Sequence, residues 1–265
     1  KSAFSFPQTD LARGLGVSLA GRDLVERGMG LGCPALRLGD RTFFPSSLGT
    51  GNGNSETTFR KDFPLDCQWT WASRGKPRPA ANRLFHACSD FYMEHPKAQP
   101  FLLPLARLPG LVPWIRKEAV PVAPVALFHS DYALSGNRVE ISWTIESLEC
   151  FLPRVFVLNE LGGRAFSQGW ENGRRIPPPS GWVPLPLEGP WPALFSPGFN
   201  LLFALEEFSV EGPAKVFLRW GREMGARLSW SGFELEADCS GMVLERISGF
   251  LAFSLTERQK GGSRP

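Results

Sequence analysis

Residues Phe199 to Thr256 constrain the fold more than any other stretch, because they read as four successive β-strands separated by short polar turns. Phe199-Asn200-Leu201-Leu202-Phe203-Ala204-Leu205 is apolar on nearly both faces, and Glu211-Gly212-Pro213 ends that strand. Lys215 to Trp220 then alternates, with Val216, Leu218 and Trp220 on one face, until Gly221 and Gly225 mark a turn. In the third strand Trp230 and Phe233 fall on opposite parities, so a bulge at Ser231-Gly232 is expected to restore register. The last strand carries Val243, Glu245, Ile247, Gly249, Leu251, Phe253 and Leu255 on one side. Strands of this length predict a large twisted sheet, with the four joined as a meander.

Upstream the same alternation recurs. Ala35 to Leu38, Gly39-Asp40 and Arg41 to Phe44 form a hairpin with a two-residue turn. Strand-like segments cover Thr57 to Phe63 and Cys67 to Trp71 on either side of the polar loop Leu48 to Ser55. Val139, Ile141, Trp143 and Ile145 alternate with Glu140, Ser142, Thr144 and Glu146, the pattern of a half-buried strand. One helix is expected, from about Pro79 to Met93, with Ala81, Leu84, Phe85, Cys88, Phe91 and Tyr92 as its apolar stripe. Four prolines break up Gln99 to Trp114. Leu161 to Pro197 reads as a long excursion without regular structure, rich in Gly, Pro and Trp.

The expected fold is therefore mainly β: a large antiparallel β-sandwich with one amphipathic helix. A chain of 265 residues fits one such domain, or an N-terminal subdomain over 1–118 followed by a sandwich core over 119–265. Its 21 Phe and 9 Trp suit a thick core between sheets. The net charge of +3 is too small to argue for nucleic acid, although residues 1–118 are basic and 119–265 slightly acidic. Five cysteines without CxxC spacing disfavour a disulfide framework or a zinc ribbon and point to a reducing, cytoplasmic setting. A leader removed before Lys1 stays open as an alternative. No apolar run is long enough to span a membrane as a helix. Neither a metal nor a cofactor is implied. Gly28-Met29-Gly30-Leu31-Gly32 lacks the lysine and the helix context of a phosphate loop.

Tyr132-Ala133-Leu134-Ser135-Gly136-Asn137-Arg138-Val139-Glu140-Ile141-Ser142-Trp143, taken with Gly198-Phe199-Asn200-Leu201-Leu202, resembles the strand pattern of galactose-mutarotase-like supersandwich domains. The resemblance spans about residues 120–257 and implies a carbohydrate-related role. Enzymes of that family use a histidine acid and a glutamate base. Their motifs do not align here, so no catalytic residue is carried over.

The residues themselves offer two acid–base candidates. His129 lies in a β segment, and Glu207 shares parity with Phe203 and Leu205 in an otherwise apolar strand, where a carboxylate must be paired, exposed or held in a site. A satisfied structural histidine and an edge-exposed glutamate are the alternatives. Trp170, Trp182 and Trp191 could stack on sugar rings while Glu171, Asn172, Arg174 and Arg175 bond hydroxyls. The same aromatics could pin the excursion as a small core or form a patch for a protein partner. The leading expectation is a sugar site under this Trp-rich segment; the alternative is a non-enzymatic interaction module.

Overall fold

The computed structural model describes residues 14–19, 22–25, 30–46, 50–53, 57–73, 76–95, 116–148, 153–179, 181–224 and 229–258. In chain order the strands are β1 (Ser18–Leu19), β2 (Arg22–Asp23), β3 (Cys33–Leu38), β4 (Arg41–Phe44), β5 (Thr50–Gly53), β6 (Thr58–Pro64), β7 (Cys67–Ser73) and β8 (Lys76–Pro77). The helix α1 (Pro79–Glu94) follows, and then β9 (Arg116–Pro121), β10 (Ala126–Ser135), β11 (Arg138–Ser147) and β12 (Arg154–Gly162). Next come β13 (Gln168–Glu171), β14 (Arg174–Ile176), β15 (Gly181–Leu185) and β16 (Ala193–Ser196). The last four are β17 (Leu201–Glu211), β18 (Lys215–Met224), β19 (Ser229–Asp238) and β20 (Arg246–Glu257).

Two nine-stranded antiparallel sheets face each other across one core. Sheet I runs β14-β13-β16-β17-β20-β11-β10-β6-β5, and sheet II runs β15-β18-β19-β12-β3-β4-β7-β8 with β9 also paired to β7. Both sheets draw strands from both halves of the chain: β6 pairs β10, and β3 pairs β12. Alternation decides what each face meets. In β10 and β11 every second residue is buried, including Phe128, Tyr132, Ile141, Trp143 and Ile145, and these inward side chains meet Leu36, Phe43, Val157, Phe233 and Leu235 of sheet II. Aromatic rings stack through the middle, Phe128 on Trp143 at 6.0 Å and Phe203 on Phe253 at 5.0 Å. Gly249 is required beside them, since a Cβ there would stand 2.5 Å from the Trp143 ring.

Three expectations change. The last four strands exist, but they do not form a meander: β17 pairs β20 in sheet I while β18 pairs β19 in sheet II. The chain crosses between the sheets at Gly212, whose φ of +127° suits only glycine, and crosses back after β19. The irregularity lies between Leu205 and Glu207, not at Ser231-Gly232, where β19 pairs without a break. Finally, Leu161 to Pro197 is not structureless. It contributes the β13–β14 hairpin and β16 to one end of sheet I, and β15 to the edge of sheet II.

The hairpin at Gly39-Asp40 forms as expected, with Gly39 at φ +59°. Part of the Leu48 to Ser55 loop is the edge strand β5. The helix lies where its pattern placed it, but its stripe is not core: Leu84 and Phe91 are 66% and 48% exposed. It docks instead through buried Asn82, which accepts from Trp71 N–H at 2.6 Å and donates to Thr70 Oγ1 at 2.8 Å. Residues 96–115 lie outside the described residues.

Candidate functional site

With Phe59, Phe63, Phe128 and Tyr132 turned inward, the alternating residues of β6 and β10 must line the outer face of sheet I. Register sets them in rows. Asp62, His129, Thr144 and Ser248 face one another across four strands, and the next row is Arg60, Asp131, Ser142 and Phe250. A third row holds Thr58, Ala133 and Glu140. Thr58, Asp131, Ala133, Glu140 and Ser142 surround a shallow depression floored by Phe59 and Tyr132. His129 stands two residues along β10 from Asp131, one row outside this depression.

His129 is ordered by a carboxylate. Its Nδ1–H donates to Asp62 Oδ1 at 2.5 Å, and Arg60 Nε donates to the same oxygen at 2.9 Å. Partial burial pushes the Asp62 carboxyl upward, but the bonds from His129 and Arg60 outweigh it and hold the group below its ordinary range. An ionised Asp62 fixes the imidazole tautomer with Nδ1 protonated, leaving Nε2 as the atom that can exchange a proton. Asp131 is exposed and makes no hydrogen bond or ion pair with a described residue, although it lies opposite Arg60 and favours that group's charge, whereas Glu140 accepts from Arg138 Nε at 3.1 Å. Half-buried Phe250 supplies an apolar surface directly across from Ser142.

The depressed Asp62 group carries a sign. Its folded-state value is below the unfolded one, so its contribution is present above the unfolded value and lost as pH falls through the folded value. Urea unfolding at a series of pH values is expected to show a steeper stability loss below about pH 5 for wild type than for Asp62→Asn. Equal acid limbs would contradict the dyad.

The other residues singled out in the sequence do not join His129. Glu207 follows the irregularity in β17, so it shares the outer face but is 61% exposed and lies on the far side of β20. There Arg138 holds it at 3.4 Å together with Glu206 at 2.8 Å. The parity with Phe203 and Leu205 that suggested an inward carboxylate is broken by that extra residue. The three tryptophans do not converge either. Trp170 is on β13, packed 5.5 Å from Phe195; Trp182 is buried on β15 of the opposite sheet; Trp191 donates Nε1–H to Pro186 O at 2.7 Å and rests 5.5 Å from Phe208. Glu171 and Arg174 are exposed and opposed across the β13–β14 hairpin.

Two groups of residues escaped the sequence reading. Asp62 sat in plain view, since Phe59 and Phe63 turn Arg60 and Asp62 to the polar face; what was missing is its partner, 67 residues away. The second group is a buried ion network on the outer face of sheet II. Arg219 Nη1 donates to Glu234 Oε1 at 2.8 Å and Glu236 Oε2 at 2.6 Å, and Arg154 Nε donates to Glu236 Oε1 at 2.6 Å. The alternation of Glu234 and Glu236 with Phe233, Leu235 and Ala237 signals a two-faced strand, but not that the charged face is also covered. These groups are bonded mainly to one another. Among the described residues, no group of three or more His, Cys, Asp or Glu is placed to hold a metal ion, and no helix is long and apolar enough to cross a membrane.

No protein-family model matches the sequence. No curated protein matches it either. Two solved structures are similar in fold. One is the Slr1438 protein from Synechocystis, 12% identical over 86% of this chain and 76% of that one, with a TM-score of 0.35. The other is a "putative aldose 1-epimerase" from Escherichia coli, 7% identical over 97% of this chain and 82% of that one, with a TM-score of 0.36.

Proposed function

We propose that the protein binds a carbohydrate on the outer face of sheet I and catalyses proton transfer at its hemiacetal, as an aldose epimerase or mutarotase would. The observation that carries this reading is the His129–Asp62 hydrogen bond beside a depression of hydroxyl and carboxylate side chains. Thr58, Ser142 and Glu140 suit sugar hydroxyls, and Phe250 suits the apolar face of a pyranose. In ring opening, one group removes the proton from the anomeric hydroxyl while another protonates the ring oxygen as the C–O bond breaks. The Asp131 carboxylate can take the anomeric proton, and the doubly protonated His129 ring can give its Nε2 proton to the ring oxygen while keeping Nδ1 protonated against Asp62, the two residues standing about 7 Å apart along β10. Closure with the opposite face exposed returns both protons and gives the other anomer.

This reading places the sugar away from Trp170, Trp182, Trp191, Glu171 and Arg174, and gives Glu207 no part in the chemistry. The test is to follow anomer equilibration of single-anomer aldoses by NMR with the full chain present. Acceleration of at least one sugar is expected; no acceleration and no binding across a panel of aldoses would sink the reading.

A further inference from the structure

We propose that the β13–β14 end of sheet I's outer face is a second, separate site, which binds a hydroxylated small molecule through its oxyanion, a carboxylate or a phosphate. It lies five strand spacings from His129, about 24 Å, and does not rest on the acid–base reading. The Arg258 guanidinium lies 4.5 Å from the Trp170 ring centre, and the Arg175 guanidinium lies 4.8 Å from that of Phe195. The two rings are 5.5 Å apart, and Trp170 and Arg175 are direct cross-strand partners.

Arg258 is anchored by its own backbone. Its N–H donates to Asn200 O at 2.9 Å and its carbonyl accepts from Asn200 Nδ2 at 2.7 Å, with Asn200 at φ +55°. A guanidinium stacked on a ring keeps its N–H edge free for a planar or tetrahedral oxyanion. Neither cation has a carboxylate partner among the described residues. Register explains why. The outward residues of the strands here are Arg175, Gln168, Trp170, Ala193, Phe195, Leu202 and Thr256, none acidic. Glu171 and Glu257 fall on the other parity, and Glu206 and Glu207 are taken up by Arg138.

A second, independent observation points to a ligand that also donates. Gln168 Oε1, opposite Phe195, is buried without a hydrogen-bond partner. An unmet acceptor opposite the ring that carries Arg175, with a second guanidinium on neighbouring Trp170, matches a molecule with a hydroxyl beside its anion, which a sugar acid and a sugar phosphate share.

Calorimetric titration of the full chain with glucuronate, glucose 6-phosphate, glucose and inorganic phosphate tests this. Binding of glucuronate or glucose 6-phosphate is expected, weakened roughly tenfold or more in Arg175→Gln and in Arg258→Gln. Glucuronate alone would assign a carboxylate, and glucose 6-phosphate alone a phosphate. Binding by neither would overturn the proposal. So would inorganic phosphate binding as tightly as glucose 6-phosphate, or affinities unmoved by both arginine substitutions in proteins whose melting is unchanged.

Discussion

Replacing His129 by alanine is expected to lower sugar anomerisation roughly 10²- to 10⁴-fold while leaving the fold intact. The size follows from what the side chain does in the proposed step. It is the proton donor in that step, and water at the same place offers no fixed orientation. The stability effect should be small, because His129 is partly exposed on the outer face and its loss opens no cavity in the core between the sheets. Asp62→Asn separates positioning from chemistry. The amide can still meet Nδ1, but it no longer selects the Nδ1-protonated tautomer. The variant should keep sugar affinity, lose rate, and shift the pH profile. Glu207→Gln, far along the sheet and held by Arg138, should keep wild-type kinetics.

Replacing Arg219 by alanine is expected to cost roughly 3–5 kcal/mol of stability, read from urea unfolding. Among the described residues Arg219 is the one cation hydrogen-bonded to both Glu234 and Glu236, and all three are under 10% exposed. Truncation leaves two carboxylates buried with too little compensation, and water reaches them poorly. Glu234 alone behaves in the opposite way. Desolvation raises its affinity for a proton more than Arg219 lowers it, so its folded-state value exceeds the unfolded one. Its contribution is therefore complete below the unfolded value and falls as pH rises through the folded one. Glu234→Gln keeps a carbonyl acceptor for Arg219 without the charge, and it should be neutral or stabilising at neutral pH. A destabilisation by Glu234→Gln as large as that by Arg219→Ala would contradict this balance.

The strands were legible because period-two alternation is local. Val139, Ile141, Trp143 and Ile145 announce β11, and Gly39-Asp40 announces its hairpin, without reference to any other segment. Pairing is not local. Nothing in β17 and β18 says that the chain changes sheets at Gly212, since a turn within one sheet and a crossing between two use the same residues. The same limit hid the candidate site. His129 could be singled out as a titratable residue, but its meaning comes from Asp62, which only the β6–β10 register brings beside it. Glu207 drew notice through a parity that one extra residue in β17 reverses. The tryptophans looked like one group because they are close in sequence, yet β13 and β15 belong to different sheets.

The most direct test of the account is the ¹⁵N spectrum of the His129 ring, recorded free and with a saturating sugar that the protein anomerises. The expected result is an Nδ1 that stays protonated against Asp62, with the Nε2 resonance moving on sugar binding and both features lost in Asp62→Asn. A ring protonated at Nε2 alone, or one whose resonances stay fixed while the sugar is bound and turned over, would show that the chemistry happens elsewhere.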